Sequence, residues 1–320
     1  MTTKIPRAAY AFLNGSATWA CRFPEDCGAE GVEVLAEGAV FDTPYGKTVP
    51  LKVVRLGGEQ PKDALVIPMH GWHLNAPHIT HQQSSDQVFW LMREAGVKKI
   101  LSDAGVGGLN PLLEIGDVIL PDDFIEARTR RAETFGGQDM RMGAPFCDGL
   151  RELVLEEARK VFPRVMRRGT TVVTEGPRFA TRAEVHMLRA WGGDIVGQSV
   201  TPDVTYARAI GACIAVLNLV AYLAEDSGSD WPEAQLREFY NHNAPRVGRV
   251  LIEAMRRADS AEPCPSCGWQ SGGPARWMDN RSQKREKMSG AAEVKNHLGC
   301  PVLVLRAWAA ARRGWCHPTG

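Results

Sequence analysis

The chain has 320 residues, of which 44% are hydrophobic, and a formal net charge of +1. This length allows one large α/β domain or two smaller ones, and the apolar fraction is sufficient for a sizeable buried core. The balanced charge argues against a nucleic-acid or anionic-membrane partner. No apolar run approaches the ~20 residues that a membrane-spanning helix needs.

The cysteines and the first residues indicate where the protein resides. Eight cysteines in a chain of this length, several in apolar surroundings such as Cys213, favour reduced thiols over a disulfide framework. The amino-terminal segment has too little apolar sequence before Asn14 for a secretory signal. We therefore expect a cytoplasmic protein.

Strand-like apolar runs alternate with helical patterns along the chain. The predicted elements are a strand at 64–67, a helix at 84–93, strands at 97–102 and 118–120, a helix at 150–161, strands at 171–174, 194–196 and 213–219, and a long helix at 231–257. Gly105, Gly107 and Gly108 are expected to end the second of these strands. The alternation predicts one α/β domain over residues 1–258, with a mixed, mostly parallel central sheet flanked by helices.

The stretch from Glu175 to Asp203 combines strand ends, turns and helix starts. An apolar run precedes a Gly-Pro turn, and a predicted helix, a Gly-Gly break and a second apolar run follow. Thr201, Pro202 and Asp203 then have the pattern of an N-cap, a first-turn proline and an acid near the positive end of a helix. Small polar residues at the ends of strands predict a ligand site at that edge of the sheet.

Several motifs occur in a fixed order along the chain. The most extensive are EGPRFATRAE, WGGDIVGQSVTPD, FDTPYGK and the turn APFC. Together they resemble the purine nucleoside phosphorylases, and most closely the methylthioadenosine phosphorylase branch, from about residue 8 to about residue 257. The resemblance implies a nucleoside phosphorylase-like fold and a homotrimer with its sites near subunit contacts.

The resemblance also implies a reaction. In the family, phosphate attacks the anomeric carbon of a purine nucleoside, and the products are the free base and ribose 1-phosphate. The substrate class would include 5′-modified nucleosides such as methylthioadenosine. Inorganic phosphate would be a co-substrate, with no other cofactor and no metal.

The phosphate-binding candidates are spread over four loops. By the resemblance they are Ser16, His70, Ala104 at the turn before Gly105, and Ser199. The family's arginine before the histidine is replaced here by Met69. A guanidinium matches a phosphate dianion with two parallel hydrogen bonds, so this loss weakens the expected phosphate site.

The candidates for the base and the ribose lie later in the chain. Phe179 resembles the phenylalanine that packs on the purine, Ala180 stands where the family reads the base edge, and Gln198 stands where a methionine backs the ribose. The family's aspartate or asparagine that binds the purine N7 aligns with Tyr222. A phenol can donate the same hydrogen bond, and Asn218, four residues earlier, is the alternative catalytic candidate.

The two departures leave three further functions open. A nucleosidase that uses water would explain the missing arginine, and a non-catalytic nucleoside-binding homologue would explain both losses. The third is an interaction protein that binds a metal or a partner through residues 259–320. That tail is rich in tryptophan, cysteine and basic residues, and we expect it to be poorly ordered. In that tail, Cys264 and Cys267 have a C-x-x-C spacing. This spacing is compatible with half a zinc ribbon, with a reversible disulfide or with two inert thiols.

Overall fold

The structure is a computed structural model that describes residues 4–69, 80–127, 142–226 and 233–262. Within these ranges the α-helices are α1 (His81–Ala95), α2 (Asp148–Val161), α3 (Arg182–Ala190), α4 (Asp203–Ala209) and α5 (Glu233–Arg256). The strands are β1 (Tyr10–Asn14), β2 (Val32–Ala39), β3 (Asp42–Thr43), β4 (Gly46–Lys47), β5 (Leu51–Leu56), β6 (Lys62–Pro68), β7 (Lys99–Gly108), β8 (Val118–Ile119), β9 (Asp123–Glu126), β10 (Val165–Met166), β11 (Thr170–Val173), β12 (Ile195–Gly197) and β13 (Cys213–Leu223).

One mixed sheet organises the fold. Its main order is β10-β8-β13-β7-β1-β6-β5-β2, and β12, β11 and β9 extend from β7 as a branch. The central pairs β6–β1, β1–β7 and β7–β13 are parallel, whereas β2–β5, β5–β6 and β12–β7 are antiparallel. The predicted α/β class with a mixed, mostly parallel central sheet is confirmed.

Helices cover both sides of this sheet, because β1, β7 and β13 consist largely of buried residues and need apolar cover on each face. On one side α2 and α5 pack against a cluster that includes Phe12, Leu101 and Leu217. On the other, α1 and α4 pack against a cluster that includes Leu13, Ile100 and Ile214. The alternation of neighbouring residues between the two clusters follows the two-residue period of a strand.

Two helices begin with a capping box. Thr80 and Gln83 form a reciprocal capping box at the start of α1, and Thr181 and Glu184 form one at the start of α3. Each box satisfies backbone N–H groups that the first helical turn leaves without partners. The expected helix after the Gly-Pro turn is therefore confirmed as α3.

Two local predictions were wrong. The glycines do not end the second predicted strand: β7 continues through Gly108, because β13 pairs beside it along its whole length. Thr201 is not the N-cap of α4. Pro202 occupies that position, and the Thr201 hydroxyl donates instead to Glu126 Oε1 at 3.1 Å.

Two further points concern membrane-spanning helices and the residues outside the described ranges. None of the helices within the described ranges is both long and apolar enough to cross a membrane. His70, Cys264 and Cys267 lie outside the described residues, as does the tail beyond residue 262.

Candidate functional site

The turn that follows β1 is held by a buried carboxylate. Asp103, on β7, is 1% exposed and accepts hydrogen bonds from Gly15 N at 3.0 Å, Thr18 N at 3.0 Å and Thr18 Oγ1 at 2.7 Å. Asn14 Nδ2 in turn donates to Thr18 Oγ1 at 3.0 Å. The carboxylate therefore fixes the turn against the carboxyl-terminal half of β7.

Burial determines the acidity of this carboxyl. Loss of solvation raises the pKa of Asp103 to about 6, although the hydrogen bonds from Thr18 and Gly15 act in the opposite direction. Burial disfavours the charged form of an acid, and donated hydrogen bonds favour it. Asp103 is thus mostly ionised at neutral pH and titrates at mildly acidic pH.

The same turn brings Ser16 to the backbone of β7. Gly105 N donates to Ser16 Oγ at 2.6 Å, and Ser16 Oγ lies 3.4 Å from Gly105 O. The contact comes from Gly105 rather than from the preceding Ala104. The two predicted phosphate loops, after β1 and within β7, are therefore brought together.

A bulge in β13 decides which side chains face this turn. Asn218 pairs with Ala104 and Val220 pairs with Val106, but Tyr222 pairs with Gly107, so Ala221 is an extra residue in β13. Such a bulge reverses the side to which later residues point. Tyr222 therefore lies on the Gly105 and Gly107 face of the sheet, where the Ser16 turn lies.

Asn218 lies on the opposite face of the sheet. Its register partners Ala104 and Ile119 both belong to an apolar cluster that also contains Val106 and Val220. Asn218 is fully buried, and neither of its amide atoms has a hydrogen-bond partner among the described residues. The sheet therefore separates Asn218, the alternative catalytic candidate, from Tyr222.

The ring of Tyr222 packs directly against Gly107. A Cβ atom on Gly107 would lie 2.7 Å from ring atoms of Tyr222 and 2.9 Å from its hydroxyl oxygen. The ring also meets Phe179 edge-on, with centroids 5.2 Å apart. Burial, followed by the proximity of Tyr240, raises the pKa of the Tyr222 phenol, so it is a neutral donor at physiological pH.

The remaining predicted residues lie around the turn before α3. Phe179 is 57% exposed, and Ala180 is partly buried against a small cluster that includes Val185. Gln198 Nε2 donates to Arg178 O at 3.0 Å, which ties the end of β12 to the same turn. Ser199 follows β12 and is half-buried, and within the described ranges it makes no hydrogen bond to the Ser16 turn.

Sequence reasoning missed Asp103 and Tyr240. A Cβ on Gly105 would overlap the Tyr240 hydroxyl and lie 3.2 Å from Ser16 Oγ, so this phenol from α5 reaches the turn. Burial, and then the charge of Asp103, raises the pKa of Tyr240 to about 12. An acidic residue beside an apolar strand could have drawn attention to Asp103. Nothing in the sequence around Tyr240 marked it as a site residue.

A cavity of about 480 Å³ lies at the other edge of the sheet and does not coincide with these residues. Its lining includes Arg7, Arg55 and Lys62, at the amino ends of the parallel strands. Ligands of open α/β sheets bind at the carboxyl ends. We therefore place the candidate site at the Ser16 turn, where hydroxyl groups and aromatic rings are present together to bind an anion and a flat heterocycle.

The chain is similar to known proteins over most of its length. The sequence profile described as "Phosphorylase superfamily" matches residues 26–256. S-methyl-5'-thioadenosine phosphorylase of Danio rerio is 34% identical over 227 residues, which cover 67% of this chain and 79% of that protein. A Moorella thermoacetica protein named "Probable 6-oxopurine nucleoside phosphorylase" is 30% identical over 222 residues, which cover 67% of this chain and 83% of the relative.

The fold has a matching solved structure. Methylthioadenosine phosphorylase from Schistosoma mansoni, in its apo form, superposes with a TM-score of 0.65 at 21% identity, covering 83% of this chain and 96% of that one. The profile match spans most of the domain, including β7 and β13. The chain therefore belongs to the phosphorylase superfamily.

Proposed function

We propose that this protein catalyses phosphorolysis of a purine nucleoside, giving the free base and a pentose 1-phosphate. A phosphate oxygen attacks the anomeric carbon while the bond to the purine nitrogen breaks, and the electron pair leaves with the base. The relatives named above are a methylthioadenosine phosphorylase and a probable 6-oxopurine nucleoside phosphorylase. We infer a 5′-modified nucleoside such as methylthioadenosine as the first candidate substrate.

The observation that carries the proposal is the contact between the Ser16 turn and Gly105, with Tyr222 standing over Gly107 on the same face. Ser16 is assigned to phosphate together with His70, the Ala104–Gly105 backbone and Ser199. Tyr222 is assigned to the leaving purine, because a neutral phenol placed beforehand stabilises charge that develops on the base. Phe179, Ala180 and Gln198 are assigned to the nucleoside.

The experiment is a panel of purine nucleosides, including methylthioadenosine, incubated with and without inorganic phosphate while free base is measured. Release that requires phosphate is the expected result. No release from any member, alongside stabilisation by the same nucleosides, would contradict the proposal and indicate a binding protein.

A nucleosidase that uses water is the second candidate, and one observation favours it. The Asp103 carboxylate already accepts from Gly15 N and Thr18 N, so these donors are not available to a phosphate. Its charge also opposes a nearby dianion. Base release that is independent of phosphate would select this function.

The assembly and location that we infer are a homotrimer in the cytoplasm, with inorganic phosphate as co-substrate and no other cofactor. Light scattering coupled to size-exclusion chromatography tests the trimer, since the expected mass is three times the 35.1 kDa of one chain. A monomer of full activity would contradict an assembly that contributes to the site.

A further inference from the structure

The hydroxyl of Tyr240 occupies the space above Gly105, beside the Ser16 side chain. A Cβ at Gly105 would overlap the phenol oxygen and would lie 3.1 Å from the ring carbon that carries it. Ser16 Oγ lies 3.2 Å from the same position. The two hydroxyls therefore reach one point on the face of β7, and only glycine leaves room for them there.

Tyr240 is held in this position by its aromatic neighbours. The ring of Trp19 meets it edge-on with centroids 5.9 Å apart, and the ring of Phe239 does so at 5.5 Å. Tyr240 is 9% exposed. Edge-to-face packing on two sides fixes the direction of the phenol, so its hydroxyl is aimed at the turn before any ligand arrives.

The hydroxyl is available as a donor. None of the hydrogen bonds within the described ranges involves Tyr240 Oη, and burial beside Asp103 keeps the phenol protonated at neutral pH. A phenol held at the rim of the Ser16 turn without a described partner thus suits a ligand oxygen.

The spacing along β7 separates two ends of the site. Tyr240 stands over Gly105 and Tyr222 over Gly107, and two residues of a strand span about 6.6 Å. Since Ser16 contacts Gly105, the Tyr240 end is the anion end and the Tyr222 end is the base end. The anomeric carbon of a nucleoside would lie between them.

We propose that Tyr240 is a further phosphate-binding residue, whose phenol donates a hydrogen bond to the anion oxygen that Ser16 also contacts. This inference rests on the proposed phosphorolysis. It assigns to a neutral hydroxyl from α5 part of the role that the family gives to an arginine, whose position holds Met69 in this chain.

The test replaces Tyr240 with phenylalanine, which keeps the ring packing and removes only the hydroxyl. A hydrogen bond to a charged group is worth about 1.5–3 kcal/mol, so KM for phosphate should rise about 10- to 150-fold. KM for the nucleoside should change less than about twofold, since the base end is untouched. Tyr10→Phe is the matched control, because its buried phenol bonds Asp259 rather than the Ser16 turn.

Inorganic phosphate binding is also measured directly, by calorimetry on the full chain without nucleoside. Weaker phosphate binding by Tyr240→Phe than by the unmodified chain and by Tyr10→Phe supports the proposal, even where turnover proves to be hydrolytic. Equal phosphate affinity in all three proteins overturns it, as does an effect confined to the nucleoside KM. An unmodified protein that binds no phosphate overturns both this proposal and phosphorolysis, whereas phosphate binding without phosphorolysis contradicts only the latter.

Discussion

Replacing Asp103 with asparagine removes a buried charge while it preserves the size of the side chain. The pKa of about 6 for this carboxyl lies above the value of 3.8 expected when it is unfolded. The folded protein therefore binds the proton more tightly, and ionisation of Asp103 costs stability. The difference between the two pKa values corresponds to about 3 kcal/mol, because each pH unit is worth about 1.36 kcal/mol.

The sign of the pH dependence follows from this difference. The stabilising contribution is fully present below pH 3.8 and is lost as the pH rises through about 6. Between about pH 4.5 and pH 7.5 the contribution of Asp103 to the free energy of unfolding should fall by about 2 kcal/mol. An asparagine side chain cannot ionise, so the Asp103→Asn variant lacks this decline.

Urea unfolding of both proteins at about pH 4.5, 5.5, 6.5 and 7.5 measures the effect, and the quantity of interest is the difference between them. Groups common to both proteins cancel in that difference. Asparagine loses one acceptor for the Gly15 or Thr18 N–H, which shifts the whole curve but not its slope. A difference that is constant with pH, or that grows in favour of aspartate above about pH 6, would refute the dominance of burial over the donated hydrogen bonds.

Three further substitutions test the site. Tyr222→Phe should lower kcat about 10²- to 10³-fold in the base-release assay, because it removes a preorganised donor to the leaving base; unchanged kcat would exclude Tyr222 from that role. Asn218→Leu should raise the free energy of unfolding, measured by urea unfolding, by about 1–3 kcal/mol, because it removes a buried amide without a partner among the described residues. A loss of stability would indicate that the amide has a hydrogen-bond partner inside the protein. Gly107→Ala should cost about 1–3 kcal/mol as Tyr222 is displaced. Gly143→Ala, whose added Cβ meets no atom of the described residues within 4 Å, should be close to neutral, and equal effects would contradict the packing argument.

The central strands were predictable because they are almost wholly buried, and the helices because their buried residues recur with the helical period. The predicted strand at 64–67 and helices at 84–93 and 150–161 all fall within observed elements. The strand β2 gave no comparable signal. Its residues are mostly exposed, so no apolar period marks them, and its place at the sheet edge is determined by pairing with β5.

The residues of the candidate site were predictable only where they belong to a motif that resembles the family. Ser16 and Tyr222 were placed by resemblance and do lie on one face of the sheet. Asp103 contacts residues 85 and 88 positions away, and the position of Tyr240 depends on how α5 packs. Such long-range contacts are set by tertiary packing, and no local pattern encodes them.

The single extra residue in β13 has a consequence for how this site changes during evolution. Before Ala221, the side chains on the Asn218 face are constrained by the interior of the protein. After it, Tyr222 lies on the face of the candidate site. We therefore expect substitutions before Ala221 to affect stability and substitutions after it to affect the candidate site. Loss of Ala221 would exchange these two roles, so relatives should be aligned by strand face and not by sequence column alone.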